Sequence, residues 1–313
     1  MHLVLPGSLF ILGLMLIIKG GDLFVDAAVW LARVSNIPPV IVGATVVSLA
    51  TTLPEILVSL LAAAQGKADL AIGNAVGSVT ANQGLILGSV LLFAPFCIRR
   101  QEYALRGLLM VAAVAALLCG VGDGVLTLQG SLVLLGIFVL SIWDSIRAAR
   151  REMDLCAAQP PRRGEFWRNG GKFLLGTAGI LWGAQLLVHH GSKLALLLGV
   201  PEAVVGVTLV AVGTSLPELV TAITAAGKGE GALSAGNILG ANLIDITLIL
   251  PLCALVSSGA LTVSAQSLLL DLPVCLLISL VTVLPALLRE KFSRGQGVLM
   301  LGLYLGYLVL VIA

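Results

Sequence analysis

A long internal duplication constrains the fold of this chain more than any other feature of its sequence. Residues 43–87 recur without a gap at 206–250, and 17 of the 45 aligned positions are identical. Each copy carries a glutamate directly after a proline, Glu55 in TTLPE and Glu218 in TSLPE, followed by a GN-x-x-G motif. We call the displacement along the chain that carries Glu55 onto Glu218 the repeat offset. A repeat of this size predicts two structurally related halves, each with its own buried acidic residue.

Composition places most of the chain in a lipid bilayer. Of the 313 residues, 58% are hydrophobic and only 11% are charged, which is far from the composition of soluble domains. About 20 apolar residues span a bilayer as a helix. Charged and Gly/Pro-rich breaks divide the sequence into ten candidate spans, at 7–32, 39–65, 70–97, 103–121, 126–146, 172–198, 202–227, 233–256, 265–288 and 296–313. The sequence therefore predicts an all-α integral membrane protein with ten transmembrane helices.

The basic residues predict the orientation of these helices, because Lys and Arg accumulate in cytoplasmic loops. Odd-numbered loops hold 15 of the 18 basic residues, whereas the even-numbered loops hold only Lys67 and Lys193, and Lys19 lies within the first span. We therefore expect a multi-pass protein of the cell (inner) membrane, with both termini external and a cytoplasmic basic linker at 147–171. A lipid-binding or regulatory role of this linker stays open.

The parity of the spans predicts how the two copies are related. The repeat offset covers five spans, so the second copy enters the membrane from the side opposite to the first. This predicts a first inverted repeat of five transmembrane helices at 1–146, the linker at 147–171, and a second inverted repeat at 172–313. Inverted repeats with broken helices at an ion site are typical of transporters that expose one midplane site alternately to either face.

The repeated motif supplies the chemistry of that site. A charged side chain in the middle of a span is costly, so Glu55 and Glu218 must face an interior partner. A proline before each glutamate breaks the helix and frees carbonyl groups. The carbonyl groups affected lie near Ser48, Ala50, Ala211 and Gly213. Each copy can therefore offer backbone oxygen atoms beside its carboxylate.

Hydroxyl groups complete this oxygen-rich arrangement. Thr51 and Thr52 precede Glu55 by four and three residues, and Thr214 and Ser215 precede Glu218 in the same way, so they share its helix face. Neither motif contains His or Cys, which favours a hard cation such as calcium over zinc or copper. Departure of a divalent ion would leave about two buried negative charges, which protons or sodium ions would have to balance. The motif therefore favours exchange over leak.

The paired GTSLPE-type and GN-x-x-G motifs resemble the alpha repeats of the calcium/cation antiporter superfamily, and the sodium/calcium exchanger branch most of all. The resemblance covers nearly the whole chain. It implies that Glu55 and Glu218 bind calcium together with Thr51 and Thr214, and that sodium shares the two glutamates. It also implies transport by sliding of the first and sixth helices across the other eight.

The same resemblance implies further sodium ligands. Thr52 and Ser78 would belong to an inner sodium site, Ser215 to an outer one, and Asn82 and Asp245 to the central position. The sequence departs from the family pattern at Ala241, where a serine matching Ser78 is usual. This puts the number or affinity of the sodium ions in doubt.

Alternative functions remain within and outside transport. Proton/calcium exchangers have a glutamate at the end of the second motif, where this chain has Gly77 and Gly240, and this difference argues against proton exchange. Asp245 resembles the acidic position of potassium-dependent sodium/calcium exchangers, so potassium dependence stays open. An ungated cation channel is opposed by the inverted repeats. An intramembrane hydrolase using Ser215 or His189 and His190 is opposed by the absence of a GxSxG or HExxH motif.

We therefore expect a transporter that is not an enzyme and has no cofactor. Its expected partners are the calcium and sodium ions and the lipid bilayer, and a monomer is compatible with this function. The net charge of +2 gives no indication of nucleic-acid binding. Asp22 and Asp26 lie in the first span, where we expect interfacial placement or pairing with a base such as Lys19.

Overall fold

The computed structural model describes residues 4–155, 163–197 and 211–312 of the chain. Almost all of them are helical, as a lipid environment requires, because helices satisfy every backbone polar group internally. The helices are α1 Val4–Ser35, α2 Pro39–Thr51, α3 Leu53–Ala64, α4 Ala68–Phe93, α5 Arg100–Gly120, α6 Leu128–Leu155, α7 Arg163–Leu197, α8 Ala211–Thr214, α9 Leu216–Gly227, α10 Gly231–Val256, α11 Ser267–Arg289 and α12 Arg294–Ile312. Two short strands, β1 Val125–Leu126 and β2 Leu261–Thr262, pair antiparallel.

The helices confirm the expectation of an all-α membrane protein. Eight helices within the described ranges are long and apolar enough to cross a membrane. The bent pair α2 and α3, with a 49° angle between them, brings the number to nine if it is counted as one broken span. The predicted span 202–227 is represented by α8 and α9, while residues 202–210 lie outside the described part of the chain. The bent helix and the interrupted one each carry a copy of the glutamate motif.

The sequence repeat is reproduced as a repeat of helix boundaries. The repeat offset carries the first and last residues of α3 onto those of α9. The same offset relates the α-helical parts of α4 and α10, which end at Ala81 and Ile244, and both continue into a π-helical turn. A π turn inserts one extra residue and shifts the following helix face, and such turns are frequent at functional sites. The two halves therefore share local distortions as well as regular helices.

Glycines bring the two longest helices, α1 and α7, into backbone contact. A Cβ atom on Gly13 would lie 2.9 Å from the Gly183 carbonyl oxygen, and one on Gly20 would lie 2.9 Å from the Gly176 carbonyl oxygen. The repeat offset converts Gly13 into Gly176 and Gly20 into Gly183, so the two contacts are equivalent under the internal repeat. Small residues permit this close approach of helices in lipid. The contact therefore couples the first helix of each half.

The loops segregate to two ends of the bundle, as the parity argument requires. At one end, Arg33 pairs with Glu230, and the backbone of Cys97 pairs with that of Lys291. At the other end, strands β1 and β2 join two sparsely charged loops. We call the first the basic end and the second the opposite end. Assignment of the basic end to the cytoplasm stays a prediction, as does the division at 147–171, into which α6 and α7 extend.

A buried ion pair fastens α5 to α6 near the basic end. The Arg106 side chain is 2% exposed, and its Nη2 atom lies 3.0 Å from Asp144 Oδ2. Replacing Arg106 by methionine leaves Asp144 without its partner. We expect the free energy of unfolding to fall by an amount near the lower end of about 3–5 kcal/mol, because Asp144 keeps some contact with solvent. Thermal unfolding of the purified protein, followed by loss of monodisperse material on heating, measures this change.

Arg99 supplies the matched control for Arg106. It also pairs with a carboxylate, Glu102, but its side chain is 80% exposed, so Arg99→Met should cost only about 0–1 kcal/mol. The double substitution Arg106→Met with Asp144→Leu should recover most of the lost stability, because no unpaired charge remains. Equal destabilisation by the Arg106 and Arg99 substitutions would contradict the importance of the buried pair.

Candidate functional site

The glutamates lie where the helices break. Thr52 (φ −82°, ψ 1°) separates α2 from α3, and Ser215 (φ −86°, ψ 6°) separates α8 from α9. In both copies the proline occupies the second position of the new helix, where a missing backbone N–H costs little. It also removes the donor for a carbonyl four residues earlier. Each glutamate therefore stands in the first turn of a helix, next to a carbonyl without its helical partner.

Three carboxylates meet in the interior of the bundle. Glu55, Glu218 and Asp245 are 1%, 0% and 0% exposed. Glu55 interacts electrostatically with both other carboxylates, and Asp245 also interacts with Glu218. The Thr52 hydroxyl donates to Glu218 Oε1 at 3.3 Å, and Thr214 lies near the Glu55 carboxylate. Buried like charges that interact with one another require a positive partner or a proton.

Most oxygen atoms of these carboxylates have no donor within the described part of the chain. Both Glu55 oxygens, Glu218 Oε2 and both Asp245 oxygens are buried without a hydrogen bond there, as are Ser215 Oγ and Asn82 Oδ1. A buried acceptor that loses water without gaining a donor is costly. The described residues contain no cluster of three or more His, Cys, Asp or Glu side chains arranged around one metal ion. A cation here would therefore need hydroxyl or carbonyl ligands as well as carboxylates.

Two asparagines connect the halves across this site. The Thr51 hydroxyl lies 3.2 Å from Asn237 Oδ1, and the Thr214 hydroxyl lies 3.5 Å from Asn74 Oδ1. These contacts are equivalent under the repeat offset, and each joins one repeat to the other. Asn74 and Asn237 are absent from the predicted ligand set, although their identity within the repeat was a signal for them. They position the threonines that precede the glutamates.

The polar contacts around these asparagines are not symmetric. Asn74 Nδ2 donates to Ser59 Oγ at 2.9 Å, but the equivalent of Ser59 in the second repeat is Ala222. Asn237 Nδ2 is consequently buried without an acceptor in the described residues. The amide of Asn82, which is the counterpart of Asp245, donates to Asn242 Oδ1 at 3.0 Å. The two halves therefore offer different electrostatic surroundings to an ion.

The predicted ligands fall into three groups in the structure. Those brought together around the carboxylates are Glu55, Glu218, Asp245, Thr51, Thr52 and Thr214. Four others are buried but make no direct contact with the three carboxylates within the described part of the chain. These are Ser48, Ser78, Asn82 and Ser215. Ala211 begins α8, and its side chain lies outside the described part.

Two predicted positions have particular surroundings. The carbonyl of Ser48 accepts hydrogen bonds from the Thr52 backbone at 2.9 Å and from the Thr51 hydroxyl at 3.3 Å. Pro54 therefore does not free this carbonyl, and the one that it deprives of a helical donor is that of Ala50. Ala241, where a serine was expected, is fully buried on α10. These ligand roles stay predictions.

Comparison with known proteins gives independent evidence. The profile of the family described as sodium/calcium exchanger protein matches residues 6–146 and 170–313. The chain is 37% identical to the inner membrane protein YrbG of Escherichia coli, covering 99% of this chain and 97% of that protein. It is 30% identical to the sodium/calcium exchanger MaX1 of Methanosarcina acetivorans, with 97% of each chain covered.

A solved structure has the same fold. The sodium-calcium exchanger NCX_Mj, soaked with sodium and strontium, superposes with a TM-score of 0.84 at 30% sequence identity, covering 98% of this chain and 99% of that chain. The profile covers both repeats, and the structural similarity spans nearly the whole length. This chain is thus a multi-pass membrane transporter, not an enzyme, and it belongs to the sodium/calcium exchanger family.

Proposed function

We propose that this protein exchanges sodium for calcium across the membrane by alternating access at a site formed by Glu55 and Glu218. The observation that supports the proposal is the set of buried carboxylate oxygens that have no donor among the described residues. Calcium satisfies several oxygen atoms at once, and it tolerates irregular coordination by carboxylates, hydroxyls and carbonyls. When calcium leaves, sodium ions can balance the same carboxylates, so that the two cations compete for one site.

The individual ligands that we propose are those that the resemblance to the family implies. Glu55 and Glu218 would bind calcium with oxygen atoms of Thr51 and Thr214, and the same glutamates would bind sodium. The remaining sodium ligands would be Thr52, Ser78, Ser215, Asn82 and Asp245, with backbone oxygens near Ser48 and Ala211. The fully buried Ala241 supplies no hydroxyl, which supports a difference between the two sodium sites.

Alternating access fits the repeat architecture. Two inverted halves at 1–146 and 172–313 can exchange conformations about a shared midplane site. The glycine contact between α1 and α7 supports their movement as one unit across the remaining helices. We propose an inner-membrane location with the basic end and the segment 147–171 in the cytoplasm, because basic residues concentrate there.

Calcium-45 uptake into proteoliposomes tests this proposal. Vesicles are loaded with sodium, with potassium, with both cations or with an acidic buffer, and they are diluted into a medium that lacks the loaded ions. Uptake from sodium-loaded vesicles alone supports sodium/calcium exchange. Uptake that requires potassium together with sodium would show potassium coupling. Uptake driven by protons without sodium would show proton exchange. Uptake without any gradient would show a channel.

Substitution of Asp245 is expected to weaken sodium binding without abolishing transport. Its counterpart Asn82 shows that an amide fits the start of this π-helical turn. Asp245→Asn should therefore fold normally but lower the site's negative charge. We expect sodium to stimulate calcium release with an apparent affinity weakened about threefold to tenfold, which corresponds to about 0.7–1.4 kcal/mol.

The reciprocal substitution is the control for Asp245. Asn82→Asp adds a carboxylate at the equivalent position, and it should strengthen cation binding or leave it unchanged. Sodium titrations of calcium-45 efflux compare the two variants at matched protein density. An unchanged sodium dependence in Asp245→Asn would exclude Asp245 from the sodium sites.

A further inference from the structure

Three ion pairs at the basic end join α1 to the turn between α9 and α10. Lys228 Nζ lies 2.8 Å from Asp26 Oδ1 and 3.3 Å from Asp22 Oδ1, and Arg33 Nη2 lies 3.3 Å from Glu230 Oε1. We call these five residues the clasp. The lysine that pairs with Asp22 and Asp26 is thus Lys228 from the second half, rather than Lys19 from their own helix.

The clasp adjoins a closed apolar layer on the same two elements. Phe24, Ala28 and Ala32 of α1 belong to one buried cluster with Ala225 and Leu233, which flank the turn that carries Lys228 and Glu230. These five side chains are at most 3% exposed. α1 is therefore packed against α9 and α10 at this end, with the charged groups at the margin of the apolar contact.

The equivalent contact at the opposite end cannot form the same ion pairs. The repeat offset replaces Asp22, Asp26 and Arg33 by Gln185, His189 and Leu196, and it replaces Lys228 and Glu230 by Gln65 and Lys67. At the opposite end, Gln65 would face Gln185 and His189, and Lys67 would face Leu196. Neither arrangement provides complementary charges. No ion pair joins these residues within the described ranges. The clasp is therefore a property of one end only.

This asymmetry matters because inverted repeats exchange their conformations between the two access states. A contact present at one end alone stabilises the state in which that end is closed, and it shifts the equilibrium by its own free energy. We propose that the clasp holds the basic end closed, so that the unliganded protein favours the state whose ion site opens at the opposite end. This inference rests on the alternating access proposed above.

The positive charge of Lys228 is stabilised by its partners. Partial burial lowers the pKa of Lys228, but hydrogen bonds and attraction from Asp26 and Asp22 outweigh it, so the pKa lies above its usual value. Exposed ion pairs contribute modestly, and the three pairs of the clasp together shift an equilibrium by roughly threefold to tenfold. A shift of this size is enough to bias two access states that are close in free energy.

Accessibility of a buried position at the basic end measures this equilibrium without any ion flux. Ala28 is fully buried beneath the clasp, so Ala28→Cys introduces a thiol that reacts only when this end opens. The exposed Cys97 and Cys119, and Cys156, which lies outside the described part of the chain, are first replaced by serine. We expect Lys228→Gln to raise the rate of maleimide labelling at position 28 by about threefold to tenfold, in the range of the lost ion pairs. An unchanged rate would overturn the proposal.

Exchanging the charges of Arg33 and Glu230 distinguishes the loss of an ion pair from a general weakening of helix packing. Arg33→Glu and Glu230→Arg alone should each raise the labelling rate, and the double variant should restore it, because the pair is re-formed with reversed polarity. Lys67→Gln, the counterpart of Glu230 at the opposite end, is the matched control and should leave the rate unchanged. Failure of the double variant to restore slow labelling would contradict the clasp.

The test distinguishes this inference from the proposed ion specificity. Labelling of position 28 reports opening of the basic end whichever ion is transported. If calcium uptake proves independent of sodium while labelling still responds to Lys228→Gln, sodium exchange is wrong and the clasp is supported. If sodium drives uptake but labelling does not respond, the proposed function stands and the clasp is wrong.

Discussion

Replacing either Glu55 or Glu218 by glutamine is expected to abolish sodium-driven calcium uptake. Glutamine keeps the shape of the side chain but removes one of the negative charges that a divalent ion requires. Hydrogen bonds and ion contacts to charged groups are about twice as strong as neutral ones. We expect calcium affinity to fall by at least about 100-fold, equivalent to about 2.8 kcal/mol, and uptake at micromolar calcium to become undetectable.

The same substitutions should not weaken the fold. Each removes a buried charge with at least one oxygen atom that has no donor among the described residues, and replacing such a charge is often neutral or stabilising. We therefore expect an equal or higher Tm without calcium, together with loss of the rise in Tm that calcium gives the unmodified protein. Glu290→Gln, at a glutamate whose side chain is 56% exposed, is the control and should retain uptake. Normal uptake by Glu55→Gln and Glu218→Gln would remove the glutamates from the site.

Gly236→Val is expected to have the largest effect on folding. A Cβ atom on Gly236 would overlap the Val40 carbonyl oxygen and lie 2.8 Å from its carbonyl carbon, so α10 and α2 touch through their backbones. A flexible side chain could move away from the added atoms, but the backbones of these two helices cannot. Overpacking typically costs about 1–3 kcal/mol and sometimes more. Because α2 ends at Thr51, its displacement should also disrupt the ion site, with loss of folded yield and of uptake.

The matched control is Gly302→Val in α12. Apart from the backbone of its own helix, no described residue lies within 4 Å of a Cβ placed at Gly302. The same change in side-chain size should therefore leave both folded yield and calcium uptake close to those of the unmodified protein. Size-exclusion profiles and uptake at equal protein density compare the two variants. Similar behaviour of Gly236→Val and Gly302→Val would contradict the close helix contact.

Much of the fold could be predicted because the repeat and the apolar composition act together. The repeat offset, read from the sequence, recurs in the ends of α3 and α9 and in the π-helical turns that begin at Asn82 and Asp245. The turns themselves could not be predicted, since they depend on packing between halves and not on a local breaker. Proline did predict the breaks at Thr52 and Ser215, because its lost donor is a local property.

The site was less predictable than the fold. The two glutamates were evident as charges in apolar helices, and the structure brings them together with Asp245. The contacts that cross between halves were not predicted, because the sequence gives no direct measure of which helices touch. Lys228 shows this best, since it pairs with Asp22 and Asp26 of α1 rather than leaving them to the nearby Lys19.

Simultaneous measurement of both cations tests the central claim of sodium/calcium exchange most directly. Proteoliposomes loaded with sodium-22 are diluted into sodium-free medium, and release of sodium-22 and uptake of calcium-45 are followed on addition of calcium. We expect sodium to leave only when calcium enters, at a constant ratio, and neither movement with Glu218→Gln. Calcium entry without release of sodium would show that the paired carboxylates do not exchange these two ions.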